Sequence, residues 1–443
     1  MIWSQGPARV RAPATSANLG PGFDALGLAL ALYDEVEARV TDGGLAIEVS
    51  GEGSETAAAG EQHLVVRAMR AAFGAMGGQP PGIALRCVNA IPHGRGLGSS
   101  AAAVCCGLLA ARALAGPGDP VAAGGPVLSD RAASPDDAAF PDDAVSPDDA
   151  VSPDEAASRE EAASPDGTAL SDEAVFQLAA ALEGHPDNVA ACLAGGLTIA
   201  WSPRPGPTAA AAGTGTPTGP AAGAGAPVGA APGPRLLRIA VPTTLRAVVC
   251  VPSVRLATEA ARQALPRAVP YADAAANAAR SALLVAALTG APQVLFEATE
   301  DFLHQPYRSG LMPETARLLG ALRRAGAAAV VSGAGPAVLV LSFDGQPPSP
   351  GAVGSIAGKT GTPWDVIPLR IDQQGAHVQQ GGLDVHPSVS ARRAPTWNQG
   401  ASRNRFRGRA QITREYLGVT GPASCTTHRQ QVEGMLWAHL VLS

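Results

Sequence analysis

The run Pro92-His93-Gly94-Arg95-Gly96-Leu97-Gly98-Ser99-Ser100-Ala101-Ala102 sets three alternating glycines and two serines between an apolar strand pattern (83–88) and an Ala-rich helix former (101–114). Glycines let a backbone come close to a ligand with its N–H groups turned inward. A helix that starts after them adds free N–H groups and the positive end of its dipole. Such a loop suits an anion, above all a phosphate, and the Ser99 and Ser100 hydroxyls can serve phosphate oxygens or a magnesium ion. It is not a Walker A loop, because no Gly-Lys-Ser/Thr follows, nor a G-x-G-x-x-G loop, because its third glycine comes too early. The decoy Gly358-Lys359-Thr360 fails as well, since Val353 stands where the upstream glycine is required.

Three further segments offer chemistry. In Glu183-Gly184-His185-Pro186-Asp187-Asn188-Val189 four polar side chains follow an amphipathic helix; Gly184 can end that helix and Pro186 stiffens the turn. The pattern predicts a constrained loop there, with Glu183 the natural oxygen ligand for magnesium. Asn18 and Asp24, in Ala12-Pro13-Ala14-Thr15-Ser16-Ala17-Asn18-Leu19-Gly20-Pro21-Gly22-Phe23-Asp24, offer an amide and a carboxylate to a substrate amine or hydroxyl. Val331-Ser332-Gly333-Ala334-Gly335-Pro336-Ala337 links two apolar strands. Thr258 and Arg262, four apart on a helix, can point into one pocket.

Ordinary patterning supplies the elements that carry these residues. Leu45, Ile47 and Val49 alternate as in a half-buried strand, as do Ile83, Leu85 and Cys87. Val175, Leu178, Ala179 and Leu182 fall on one helical face behind an N-cap at Ser171 and first-turn Asp172 and Glu173. Segments 245–251 and 337–341 read as buried strands, so helices and strands mix along the chain and the class is α+β.

Three stretches look grafted on. The segment 116–170 carries a six-residue repeat of the type Ser-Pro-Asp-Asp-Ala-Val, whose prolines forbid continuous helix and whose carboxylates lack the spacing of a calcium loop. Segment 204–234 is almost wholly Pro, Ala, Gly and Thr and reads as a linker. Segment 379–443 turns Arg-rich without periodicity and reads as a dangling basic tail. They help explain the 52 glycines and 39 prolines among 443 residues, and they leave about 290 residues, enough for two domains.

The net charge of −6 mixes an acidic repeat with a basic tail and argues against broad nucleic-acid binding. No apolar run reaches the length of a membrane span. The opening residues lack a secretory signal, and six cysteines without a C-x-x-C pair read as reduced thiols, which together predict a cytoplasmic protein.

In combination the four motifs resemble the GHMP kinase superfamily, and within it the homoserine kinases. The serine loop looks like its phosphate loop and 332–337 like its C-terminal glycine motif. The segments 16–24, 183–189, Asp273-Ala-Ala-Ala-Asn277-Ala-Ala-Arg280 and His304-Gln305-Pro306-Tyr307-Arg308 look like the narrower family. The resemblance covers 1–115, 171–203 and 235–378. It implies a GHMP kinase fold, with an N-terminal ribosomal-protein-S5-like domain (1–203) and a C-terminal ferredoxin-like α/β sandwich domain (235–378). It also implies transfer of the γ-phosphoryl of ATP to the hydroxyl of L-homoserine in threonine biosynthesis, by a protein commonly homodimeric.

The resemblance assigns roles too. The loop 92–102 would hold the ATP phosphates, with Ser99 or Ser100 and Glu183 on magnesium. Asn18 and Asp24 would hold the substrate's amino end, and Asn188 would sit near its hydroxyl. Arg262 and Arg308 would clamp its carboxylate, with Thr258 in the same pocket. His185 falls in the substrate loop, where a structural role is expected because arginines already fix the acid. Asn188, Glu183 and Arg262 are the expected catalytic groups, with no strong base, since phosphoryl transfer relies on positioning and charge neutralisation. The rival readings are a mevalonate- or shikimate-type kinase and a non-catalytic relative that senses a small molecule. The two arginines and Asp24 argue against the first, and the intact serine loop and Glu183 against the second.

Overall fold

The long strand β2 (Leu26–Thr41) organises the first sheet, its apolar and small residues buried for most of their length. β1 (Ala8–Ala17) pairs antiparallel along one edge of β2, and the register shifts between Pro13 and Ala14. A proline cannot donate to the ladder, so the strand bends there. On the other edge of β2 the C-terminal half pairs with β4 (Gly82–Asn89) and the N-terminal half with β5 (Leu197–Trp201). β3 (Gly44–Gly51) lies parallel to β4, the connection between them running through α1 (Leu64–Ala75). The computed structural model describes residues 2–4, 6–115, 170–203 and 233–379, all within one compact unit. All of the hexapeptide repeat, most of the Pro/Ala/Gly segment and all but the first residue of the basic tail lie outside the described residues.

Helices α2 (Ser99–Leu114), α3 (Asp172–Glu183) and α4 (Pro186–Ala194) cover the buried face of this sheet. The predicted caps of α3 are present: the Ser171 hydroxyl accepts from the Ala174 N–H, and Gly184 closes the helix in the left-handed region at φ 88°. α2 begins two residues earlier than its alanine run, at Ser99.

The second sheet has the order β10-β7-β9-β8, built from β7 (Leu245–Pro252), β8 (Ala328–Val331), β9 (Val338–Phe343) and β10 (Trp364–Arg370), all antiparallel. In chain order that is 4-1-3-2, with helices between the first and second and between the third and fourth strands. This is the ferredoxin-like arrangement. The connecting helices are α5 (Thr258–Gln263), α6 (Tyr271–Thr289), α7 (Leu295–Ala298), α8 (Gln305–Arg308) and α9 (Pro313–Arg324), then α10 (Pro350–Gly358). Period-2 alternation divides the sheet's side chains. Ala247, Val249, Val330, Leu339 and Leu341 join the main core, while Val248, Cys250, Ala329, Val338 and Val340 pack with Leu318, Leu322 and Val353 under α9 and α10.

The two sheets do not part at the linker as expected. β6 (Arg235–Ile239) pairs with β5, and β11 (His377–Val378) with β1, so the first and last strands of 235–378 belong to the first sheet. Short strands follow whichever edge is open beside them, and that edge is a tertiary property.

Asp34 ties this frame to the glycine-rich loop. Only 4% exposed, its Oδ1 accepts from the Ala90 and Ile91 N–H groups (2.8 and 2.9 Å) where β4 runs into that loop. Burial pushes its carboxyl up to about 7 despite those two bonds. The folded protein therefore binds a proton that the unfolded chain releases near pH 4, and this contribution to stability is lost as pH rises from about 4 to about 7. Asp34→Asn should flatten that decline, which approaches roughly 1.4 kcal/mol per pH unit at its steepest. Chemical denaturation at several pH values checks it; parallel slopes for variant and wild type would contradict it.

Candidate active site

Gly94, Gly96 and Gly98 all take left-handed backbone, with φ of 66°, 75° and 67°, and Gly98 is the N-cap of α2. Two of these glycines are required by the protein's own packing. A Cβ on Gly96 would strike the Ser332 carbonyl, and one on Gly98 would strike the Thr15 hydroxyl. The Ser332 hydroxyl donates to the Gly96 carbonyl (2.7 Å), so the glycine hairpin between β8 and β9 braces the loop. Arg95 is spent on the same task. Its Nε donates to the Pro252 carbonyl (2.8 Å), and Nη1 and Nη2 to the carbonyls of His93 and Ser253 (3.0 and 3.1 Å), stapling the loop to the end of β7.

The segment after β1 is held in an unusual shape, with Asn18 and Asp24 both left-handed at φ 68° and 55°. The Asn18 amide donates to the Gly333 carbonyl (2.8 Å) and its Oδ1 accepts from the Asp24 N–H (2.9 Å). That brings the Asp24 carboxylate against Arg262 of α5 in a two-pronged ion pair of 2.9 and 3.0 Å. Thr258 lies one turn earlier on the same helix and faces the same cavity, as the spacing predicted.

Arg308 is 2% exposed. Its Nε donates to the Ala261 carbonyl (3.0 Å) and its Nη1 lies 3.1 Å from His304 Nδ1. His304 Nε2 lies 2.9 Å from the Gly20 carbonyl. A guanidinium can only donate and a carbonyl only accept, so His304 is neutral with its proton on Nε2. Burial, which lowers its pKa, acts in the same sense. Phe23 stacks on the His304 ring at 5.1 Å and lies 5.4 Å from the Arg308 guanidinium. Sequence reasoning missed His304 and Phe23 as supports of the arginine; the i, i+4 spacing of His304 and Arg308 was the available signal. His304→Phe removes the acceptor that orients Arg308 and should raise the KM for a carboxylate-bearing substrate about tenfold, leaving the KM for ATP within about twofold. Steady-state kinetics decides; a wild-type KM would make His304 mere packing.

The segment after α3 is not the loop expected. Pro186 is the first residue of α4, where its fixed φ suits a helix start and its missing N–H is not needed. Asp187 and Asn188 therefore project from a helical first turn. Asp187, 3% exposed, accepts from the Asn188 N–H (2.8 Å), and His185 Nδ1 lies 3.3 Å from its carboxylate, which raises the histidine's pKa. His185 is thus more basic than a free imidazole. The Ser100 hydroxyl donates to Glu183 (2.7 Å), and the Thr15 hydroxyl donates to Asn188 Oδ1 (2.8 Å).

One cavity gathers these groups. Asn18, Asp24, Glu183, His185, Asn188, Thr258, Arg262 and Arg308 all line it, with Gly94, Gly96, Leu97, Gly98, Ser99 and Ser100 of the loop. Asp187, Gly333 and Ala334 join them; Pro92, His93, Arg95, Ala101 and Ala102 do not reach it. A larger groove between segment 299–306 and α9 has mostly apolar walls, and its charged groups are engaged elsewhere: Glu300 with Arg280, Asp301 with the N–H groups of Leu303 and Gln305, Arg323 with Thr299. The Ser100 hydroxyl and Glu183 carboxylate form the oxygen donor set that suits magnesium, which is commonly held by one or two carboxylates together with substrate phosphates. Among the described residues there is no group of three or more His, Cys, Asp or Glu side chains that could hold a metal ion.

An anion loop at a helix N-terminus thus faces three carboxylates and two guanidinium groups across one cavity. The models for the GHMP kinases N terminal domain and the GHMP kinases C terminal match residues 63–130 and 255–352. The fold is shared with a crystal structure of homoserine kinase from Cytophaga hutchinsonii (TM-score 0.57, 23% identity, covering 84% of this chain and 97% of that one). It is shared also with L. major mevalonate kinase in complex with R-mevalonate (TM-score 0.51, 13% identity, 82% and 96%). The two models mark the chain as carrying GHMP kinase domains, and the structures show the shared fold. Homoserine kinase of Streptomyces coelicolor is 44% identical over 370 residues, 84% of this chain and 94% of the relative. That of Clavibacter michiganensis subsp. michiganensis is 39% identical over 374 residues, 84% and 93%. The chain belongs to the homoserine kinase family. No helix among the described residues is long and apolar enough to cross a membrane. Cys87, Cys105, Cys106, Cys192 and Cys250 are free and buried, and Cys425 lies outside the described residues.

Proposed function

We propose that the chain transfers the γ-phosphoryl group of ATP to the side-chain hydroxyl of L-homoserine, giving O-phospho-L-homoserine and ADP in threonine biosynthesis. The observation that carries this reading is the pairing of Asp24 with Arg262 beside Arg308, across one cavity from the glycine-serine loop. In the structure the acid and the arginine neutralise each other. An α-amino acid replaces that contact with two complementary ones, its ammonium on Asp24 and its carboxylate on Arg262 and Arg308. A substrate with a carboxylate alone would draw Arg262 away and leave Asp24 without a cation. This disfavours mevalonate and shikimate.

The phosphates would lie against the loop N–H groups and the N-terminus of α2. Glu183 with Ser100 or Ser99 would hold magnesium, which when bound neutralises charge on the phosphates. Asn188, whose Oδ1 sits where the Gly98 backbone meets Thr15, lines the same cavity and would meet the acceptor hydroxyl. No lysine lines the cavity. Asp24, freed from Arg262, would be taken by the substrate ammonium, and Asp187 accepts from the Asn188 N–H. The hydroxyl proton therefore leaves late, to solvent or to the transferred phosphoryl group, as a loose transition state permits.

ADP release measured with homoserine, mevalonate and shikimate in parallel tests the reading. Homoserine should give a kcat/KM at least about 100-fold above the others. Comparable turnover of a substrate that lacks an amine would overturn it.

A further inference from the structure

We infer that Thr15 is a positioning residue, which sets the Asn188 amide so that its NH2 group rather than its oxygen is presented to the acceptor hydroxyl and the incoming phosphoryl group. The inference rests on the reading of the cavity as a homoserine kinase site. Thr15 is fully buried at the end of β1, and its hydroxyl makes one hydrogen bond among the described residues, to Asn188 Oδ1 at 2.8 Å. A buried hydroxyl must donate its proton somewhere, and Asn188 Oδ1 is the acceptor the structure provides. An amide turned the other way would face the hydroxyl with a donor and strand that proton. With its oxygen held by Thr15, the amide's nitrogen is left for the cavity that Asn188 lines.

The placement of Thr15 is itself fixed. Its backbone N–H donates to the Leu97 carbonyl (3.0 Å), and its hydroxyl occupies the space a side chain on Gly98 would need. The absent side chain at Gly98 thus lets Thr15 reach Asn188, which sits 3.1 Å from where a Gly98 Cβ would be. Loop, strand and helix meet at this one hydrogen bond. A donor set in advance at the hydroxyl and the bridging oxygen acts where charge shifts during transfer, so its loss should appear in kcat more than in KM.

Thr15→Val keeps the shape and removes the hydroxyl. It should lower kcat about 10- to 100-fold with the KM values for homoserine and ATP within about twofold, as expected for loss of one transition-state donor. Thr15→Ser, which restores the hydroxyl, should return kcat to within about threefold of wild type. In an Asn188→Ala background Thr15→Val should cause no further loss, because the group it positions is gone. Asn188→Asp, which keeps an acceptor for Thr15 but places an oxygen where the amide nitrogen stood, should lose as much kcat as Asn188→Ala. It also answers the question if Thr15→Val does not fold. A wild-type kcat for Thr15→Val or Asn188→Asp, or a full additional loss from Thr15→Val in the Asn188→Ala background, overturns the inference. A wild-type protein that turns over no homoserine overturns instead the reading on which it rests.

Discussion

Arg308→Ala lowers kcat/KM for homoserine about 100- to 1000-fold and leaves the KM for ATP within about twofold, the scale expected when one partner of a desolvated charge pair is removed. The expectation follows from burial. Arg308 is 2% exposed, and its guanidinium is already oriented by the Ala261 carbonyl and His304, so little reorganisation is needed to meet a carboxylate. The same contacts mean that truncation strands a carbonyl and a ring nitrogen, and a lower Tm should accompany the kinetic loss. Arg308→Lys separates the two effects: it keeps the charge but not the fork, so an intermediate kcat/KM is expected. A variant whose KM for ATP rises while homoserine kinetics stay unchanged would move the carboxylate clamp elsewhere in the cavity.

Glu183→Gln should lower kcat about 100- to 1000-fold and raise the magnesium concentration needed for half-maximal rate, with little change in the KM for homoserine, because it removes the anionic oxygen beside the phosphate loop. Glu183 is the last residue of α3 and accepts from Ser100, in the first turn of α2. Burial raises its pKa, a shift the Ser100 hydrogen bond opposes. Protonation competes with its hold on a cation, so the magnesium concentration needed for half-maximal rate should rise as pH falls, and Glu183→Gln should lack that dependence. Rates measured against pH and magnesium check both. A variant with wild-type magnesium dependence would remove Glu183 from the proposed metal shell.

Much of this site could be read before any coordinates because its parts are local. The serine loop, the Ser171 and Gly184 caps of α3, and the Thr258–Arg262 spacing are each fixed within a few residues, where turn chemistry and helical period decide the outcome. What escaped depends on distant partners. Asp24 and Arg262 are 238 residues apart, so their ion pair has no sequence signature. Arg95, inside a phosphate-type loop, reads as an anion ligand until three carbonyls are found to occupy its donors. Pro186 reads as a stiff turn because its ring forbids helix interiors, yet at a first position it begins one. β6 and β11 are five and two residues long, too short for their own pattern to choose a sheet. The glycines at 96 and 98 were read for the ligand they would admit, and they also serve contacts to Ser332 and Thr15 that only the folded chain brings near.

The most direct measurement is phosphorus NMR of the protein incubated with ATP, magnesium and L-homoserine. ADP and a new phosphomonoester resonance matching O-phospho-L-homoserine should appear in equal amounts, and both should depend on homoserine. Inorganic phosphate without the monoester, or a monoester formed equally well from mevalonate or shikimate, would contradict the assignment of Asp24, Arg262 and Arg308 to an amino-acid substrate.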